Sequence, residues 1–558
     1  MNNQNLNLII AILLSVGIIF GWQYFFDRPR LQADIMEHAS YNKTVASRNQ
    51  ASSDAILDRA EAIISSTRLK FANDNIAGSI NLLGLRFDDL TLLKYTATTD
   101  KESPNVILLS PNKSKDAYFA EFGWSSSNKN IILPDQNTLW KADKDFLKDG
   151  DSVAFTWKNP QNILFKITIS LDNHYMFEIK QEITNNSMDS VPIQSYGLIY
   201  KTYDPEQNRM SIVHEGGTGV FGEELKEFTY SEIKDKKKIA NKLSSVNWFG
   251  MTDKYWLVTL IPDQSFNYNS NAGFFIKNSL ERYQIDFISP SEVLSTGNSL
   301  VFTHRLFCGV KDIVVLDDYE SNLNIKLFDR TVDFGWFYII TKPLLNILHF
   351  FYNIVGNFGV SIMIVTVLVK LLMFNMANKS YKSMKAMKAL QPEIELIRNS
   401  CGDDKVKLNQ EIMALYKAHG VSPFSGCLPI FIQIPVFFSL YKVLNVAIDM
   451  RHAPFFGWIR DLSVADPTNL FNLFGLLSIQ LPSFLHIGIW PLLMAFTMFL
   501  QQRMSPPASD PVQAKMMKMM PVIFLFMFGN FPAGLLIYWT WNNILSILQQ
   551  AYINRSNA

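Results

Sequence analysis

The chain has 558 residues, 48% hydrophobic and 13% aromatic, with 51 Lys and Arg against 50 Asp and Glu. A net charge of +1 gives no basic field for nucleic acid, and the length exceeds one ordinary domain. Three scattered cysteines, Cys308, Cys401 and Cys427, give neither a disulfide framework nor metal spacing, so each reads as a free thiol.

The first apolar run is LNLIIAILLSVGIIFGWQYFF, Leu6 to Phe26. At ~1.5 Å per residue it spans a hydrocarbon core of ~30 Å. No A-x-A-like cleavage site follows, and the exit is aromatic: Trp22, Tyr24, Phe25 and Phe26. Residues 1–27 therefore read as a retained signal anchor rather than a cleaved signal peptide. Residues 28–70 are polar without an apolar period, as in a linker.

Residues 71–333 read as an all-β domain. Ile163, Phe165, Ile167, Ile169 and Leu171 alternate along one strand, Asp172-Asn173 offers turn chemistry, and Phe177, Ile179 and Ile183 alternate along the next. That pattern predicts a hairpin with one buried face, and its recurrence predicts a β-sandwich. His174, His214 and His304 are scattered without metal spacing, and no acid–base pair stands out, so no catalytic residue, metal or cofactor is expected.

Residues 334–357 are aromatic and amphipathic, with Pro343 near the start and Gly356 near the end. They predict a helix lying in a membrane interface, with a buried soluble helix as the alternative. Five further apolar segments follow: 358–376, 424–448, 487–501, 516–530 and 534–553. Together with the anchor they make six spans, while 467–486 is too interrupted to cross and reads as interfacial. Lysines and arginines concentrate in 377–422 and beyond 502, and the opposite loop has only Arg451 and Arg460. The positive-inside rule places the lysine-rich segments and both termini in the cytoplasm and the β domain outside. Arg28 and Arg30 after the anchor oppose this, and the larger excess in the C-terminal loops decides.

Within 377–422, Met384, Met387, Leu390, Ile394 and Ile397, then Leu408, Ile412 and Leu415, recur at helical spacing. Two amphipathic helices with a turn at Gly402 are predicted. One reading is a solvated helical pair. The other is a mobile hairpin on the lipid surface, with Met384 and Met387 as adaptable apolar contacts and Lys385 and Lys388 meeting anionic headgroups.

Lys370 interrupts the second span, where a charge costs ~2.5–3.5 kcal/mol. It could snorkel to the nearby polar Asn375. However, helical side chains lean toward the N-terminus, which here is the outer end, so Lys370 leans deeper. Thr366 lies one turn away, and Gln433, Asn542, Asn543 and Ser546 offer polar groups on other spans. A shared polar cavity is the functional reading.

The segments VGNFGVSIMIVTVLVK, LQPEIELI, EIMALYKAHGVSPFSGCLPIFIQIPVFFSLYKVL, APFFGWIRDLS and MMPVIFLFMFGNFPAGLLIYWTWNNILSILQQ, in that order, resemble the YidC-type membrane protein insertases of Gram-negative bacteria. DFGWFYIITKP at the domain junction fits as well. The resemblance implies a bacterial inner-membrane protein with a five-helix core (358–553), a periplasmic supersandwich-like domain and a short tail (554–558). It further implies a groove in the inner half of the core, open to cytoplasm and lipid. Lys370 stands at the position of the family's usual arginine. Thr366, Gln433, Trp539 and Asn543 match other groove positions, with Trp539 where a tyrosine is expected. Nascent membrane proteins and the Sec translocon are the implied partners, alongside anionic lipids. A ribosome would not be held through so short a tail. Two other classes make different demands on the sequence. A secondary transporter should show repeated halves, and none are visible. A membrane-anchored carbohydrate-binding or mutarotase-like protein should place its chemistry in the β domain.

Overall fold

The computed structural model describes residues 56–100, 102–203, 213–277, 279–402, 404–421, 428–471, 487–504 and 511–556. The expected anchor, the linker as far as residue 55, Cys427, the segment 472–486 and the last two tail residues lie outside them.

The expected linker is shorter than its composition suggested. Its C-terminal end holds a helix, α1 (Arg59–Ile64), whose first turn is capped by Asp58, and the first strand begins at Arg68. From there the chain builds two sheets, of eleven and nine strands among the described residues. The strands Ile163–Leu171 and Met176–Asn185 form the expected hairpin, with Ile179 opposite Ile169 and Ile183 opposite Phe165. Ile163, Phe165, Ile167, Ile169 and Leu171 are each at most 1% exposed. Burying such side chains stabilises by ~1.5–3 kcal/mol apiece, which fixes the register. At the turn, one carboxylate oxygen of Asp172 accepts from the amides of His174 and Met176 at 2.9 Å. The inner faces of the sheets meet through aromatic edges, Phe71 on Phe177 and Trp124 on Phe165. A short helix, α2 (Tyr230–Lys236), packs on the strand Tyr268–Lys277.

The sandwich leads into α3 (Ile313–Leu323), N-capped by Asp312, and then into α4 (Tyr338–Val355). Helix α4 ends at Gly356, whose φ of +68° suits a residue without Cβ. Thr341, Leu344, Leu345 and Leu348 are buried, while Ile339, Ile347, Phe350 and Ile354 are exposed on the opposite side. This two-faced helix has the pattern expected of an interfacial one.

The C-terminal region is helical: α5 (Phe358–Leu372), α6 (Phe374–Ala389), α7 (Gln391–Cys401), α8 (Lys405–Ala418), α9 (Leu428–Val446), α10 (Ile489–Met504), α11 (Pro511–Phe528) and α12 (Ala533–Ser556). The expected unbroken helix over 358–376 is instead bent by 68° at Met373. The bend falls where the apolar run gives way to Asn375, Asn378 and Lys379. The 15 residues of α5 cover only ~22 Å. Among the described residues no single helix is long and apolar enough to cross a membrane; α5 and α6 together pass that test as a bent pair. The segment 377–422 also differs from expectation, with a third helix created by a break at Leu390. The turn at Gly402 forms as expected, at φ +55°.

Polar contacts fasten the sandwich to the helices. Lys342 on α4 donates at 2.7 Å to both Asp329 and Asp317, and Tyr338 also donates to Asp329. Although Asp317, Glu320 and Asp329 could together hold a metal ion, Lys342 already brings a cation to two of them. Lys442 on α9 reaches Asp333 at 2.9 Å. Beyond α9, Arg451 donates to the carbonyl of Thr96 at 2.6 Å and lies 5.4 Å over the Trp256 ring.

His349 on α4 lies 3.1 Å from the Asp449 carboxylate. Burial pushes the imidazole pKa down, but the Asp449 carboxylate outweighs it and the pKa is raised. A raised folded-state pKa means the pair's stabilisation is present below the unfolded value of about 6.5 and is lost as pH climbs through the folded value. The unfolding midpoint of the full chain in detergent is expected to fall between about pH 6 and about pH 9. The fall should be smaller in His349→Gln, and equal falls would remove the pair from the account.

Candidate functional site

The sandwich contains one arrangement that resembles nucleophile chemistry, and its proton positions rule that out. Ser195 Oγ is 2.8 Å from His304 Nε2, and His304 Nδ1 accepts from the Asp263 amide at 3.0 Å. An accepting Nδ1 requires the proton on Nε2 in the neutral ring. Nε2 therefore donates to Ser195, Ser195 donates to Gln181 Oε1 at 2.8 Å, and Gln181 donates to the Gly123 carbonyl at 3.0 Å. A general base would have to accept from the serine. Burial also pushes His304 down to about 3, and the residue is 0% exposed. The chain of bonds wires the two sheets together.

The helical region gathers its polar groups on α12. Lys370, in the last turn of α5, donates from Nζ to Ser546 Oγ at 2.7 Å, and Ser546 donates to the Asn542 carbonyl at 2.8 Å. No carboxylate pairs with Lys370 among the described residues. Thr366, one turn earlier, is buried and donates to its own helix at the Ile362 carbonyl. Trp541 donates to the Met363 carbonyl at 3.2 Å and holds α12 against α5.

Gln433 on α9 donates to the Tyr538 hydroxyl. Asn543 donates to Thr497 on α10 at 3.2 Å. Trp539 packs against Phe437, Phe524 and Phe528, with ring centroids 4.9, 5.7 and 4.9 Å away. Of the five expected groove residues, Trp539 and Asn543 lie on α12 and Lys370 and Gln433 bond to it, whereas the Thr366 hydroxyl bonds within α5; no hydrogen bond joins any two of them among the described residues. Trp539, which stands where the resemblance expects a tyrosine, meets rings, and the phenol that Gln433 reaches is that of Tyr538, one position earlier. Sequence reasoning missed Tyr538 and Thr497, whose hydroxyls complete the pairs of Gln433 and Asn543. Three buried polar atoms, Ser439 Oγ, Thr540 Oγ1 and Asn542 Oδ1, have no hydrogen-bond partner among the described residues. An unmet buried polar group costs ~1–3 kcal/mol.

The helical hairpin departs from its expected arrangement. Met384 and Met387, expected as contact residues, are 8% and 7% exposed and pack inward with Tyr381, Leu390, Ile394, Ile412, Tyr416 and Ile553. Lys388 is exposed and Lys385 is half-buried. The outward apolar groups are instead Leu396, Val406 and Met413. Helical spacing alone marks an apolar stripe without saying what covers it, and here the hairpin covers its own.

On the far side, the loop after α9 packs against the α11–α12 turn, where Ala533 and Gly534 donate to the carbonyls of Val464 and Leu462. Asp466, 0% exposed, organises this loop. It accepts from Trp458 Nε1 at 3.0 Å, from the Thr468 amide and hydroxyl at 3.0 and 2.7 Å, and from the Trp490 amide at 2.9 Å. The last bond caps α10.

The family model described as YidC periplasmic domain matches residues 68–347, and the one described as 60Kd inner membrane protein matches 350–558. The membrane protein insertase YidC of Rickettsia bellii (strain OSU 85-389) is 54% identical over 556 residues, covering 100% of both chains. The chain belongs to the YidC family of membrane protein insertases. The YidC of Rickettsia prowazekii (strain Madrid E) is likewise 54% identical, over 563 residues and 100% of both. A crystal structure of an active YidC insertase with its first transmembrane domain resolved aligns over 86% of this chain and 90% of that one, at 16% identity and TM-score 0.37. A galactose mutarotase-like protein from Lactobacillus casei ATCC 334 aligns over 44% of this chain and 100% of its own, at 11% identity and TM-score 0.30. As a YidC-family chain this is an inner-membrane insertase with a β-rich periplasmic domain and a helical C-terminal region. The transporter and carbohydrate-binding readings find no support in these relatives.

Proposed function

We propose that the chain inserts nascent membrane proteins through a half-depth polar groove lined by Lys370, Thr366, Gln433, Trp539 and Asn543. Six spans, the anchor plus a core of α5, α9, α10, α11 and α12, would place both termini and the 377–422 hairpin in the cytoplasm. The sandwich would face the periplasm. A client's short polar segment enters from the cytoplasm, and Lys370 and the neutral groups around it replace lost water. This lowers the desolvation cost of acidic residues. The client's apolar helix then leaves sideways into lipid, where burial favours it. Exposed Lys388, with Leu396 and Val406, would rest on anionic headgroups. The Sec translocon is the expected partner for larger clients.

The observation that carries this reading is the pairing of Lys370 with the neutral Ser546 hydroxyl, which leaves the positive charge uncancelled by any described carboxylate. The test uses vesicles holding the full chain alone and a small phage-coat-type protein. Protease protection of its tail is expected with the protein and not with empty vesicles. Equal protection in both would overturn the reading.

A further inference from the structure

The loop after α9 carries one tight turn whose aromatic side chains are left uncovered. The Phe455 amide donates to the Ile459 carbonyl at 2.9 Å, and Gly457 within the turn takes a φ of +70°. Phe456 is 65% exposed and Trp458 42%. The turn is held from both sides. The Trp458 indole spends its only donor inward, on Asp466 at 3.0 Å, so the apolar body of the ring is what remains outside. Phe455 packs against Trp490, with ring centroids 6.0 Å apart, and fills the space that a Cβ on Gly359 would need.

Gly359 is the second residue of α5, so the turn sits at the start of that helix. At the same place Phe358 stacks on Tyr352 of α4 at 3.9 Å. The turn and the exposed face of α4, with Phe350 and Ile354, therefore flank one helix end. Charge adds to the picture. Arg460 is exposed and is the only charged residue in 454–460. The neighbouring Asp461 is buried and accepts from the Ser463 amide and hydroxyl at 2.8 and 2.7 Å. Rings beside a lone cation match the layer where acyl chains give way to phosphates. A protein partner needs about 800 Å² on each side for a stable interface. Two partly exposed rings, worth ~150–250 Å² each when fully buried, supply less than that. A fluid lipid surface needs no matched patch.

We propose that the 454–458 turn is a fixed aromatic foot that rests in the headgroup region of the bilayer, with Phe456 and Trp458 among the first acyl carbons and Arg460 at the lipid phosphates. Only the choice of the periplasmic leaflet rests on the orientation proposed above. The test puts a nitroxide at Phe456→Cys in the full chain, with Cys308, Cys401 and Cys427 changed to alanine, in phosphatidylethanolamine–phosphatidylglycerol vesicles. Parallel samples carry the label at Ile347→Cys on the exposed face of α4 and at Val293→Cys, exposed on the sandwich. Relaxation by lipid-soluble oxygen is compared with relaxation by a water-soluble nickel chelate. The chelate is expected to reach the Phe456 label at least about threefold less than the Val293 label, with oxygen reaching it at least as well.

A Phe456 label as open to the chelate as the Val293 label overturns the foot. Protection from both reagents overturns it too, since a protein would then cover the turn. A lipid-exposed Phe456 label with an Ile347 label in water leaves the foot standing and removes α4 from the interface.

Discussion

Lys370→Glu is expected to abolish insertion of an acidic-tailed client, by at least about tenfold in protease-protected product. The groove's proposed work is to receive carboxylates, and two like charges within a few ångströms in a medium of low dielectric repel by several kcal/mol. Lys370→Arg should retain activity, since the guanidinium keeps the charge and can donate to Ser546. Lys370→Ala separates the two accounts of this residue. Intermediate loss fits a charge that assists neutral polar groups. Undiminished insertion would return Lys370 to a snorkelling side chain with no part in the reaction. All three variants should be compared at equal membrane abundance.

Asp466→Ala should have the largest effect on stability of any single change in the segment between α9 and α10. The carboxylate is fully buried and takes four donors from three residues, one of them the capped amide at Trp490. Removing it strands those donors and uncaps α10, at a combined cost of about 3–5 kcal/mol. The expected result is a clear fall in the unfolding midpoint in mild detergent and reduced accumulation in the membrane. Asp466→Asn keeps the shape and one carbonyl oxygen, so it can still accept from Trp458 and Thr468 but not from Trp490. Its fall should be about half as large. A wild-type midpoint in Asp466→Ala would show that solvent reaches those donors.

Much of the sandwich could be read from the chain because each strand has one face in the core. Alternation of Ile163, Phe165, Ile167 and Ile169 therefore states both the element and its orientation, and Asp172 states where it turns. Helix α4 was equally legible, since its apolar period and Gly356 are local signals. The bend at Met373 was not, because neither proline nor glycine marks it. The partner of Lys370 lies 176 residues away, and no periodicity connects positions on different helices. Met384 and Met387 show the same limit, since an inward and an outward apolar stripe have one spacing. The Tyr538–Gln433 pair was not legible either, because two adjacent aromatic residues share a helix turn and only packing decides which one meets Gln433.

Helix α3 is bonded on two sides. Its Tyr319 hydroxyl donates to Asp172 in the sandwich at 2.5 Å, and its Asp317 holds Lys342 of α4 at 2.7 Å. The outer domain is therefore tied through α3 to α4. A sideways pull on it would reach α4 through these bonds before the backbone joint takes it up.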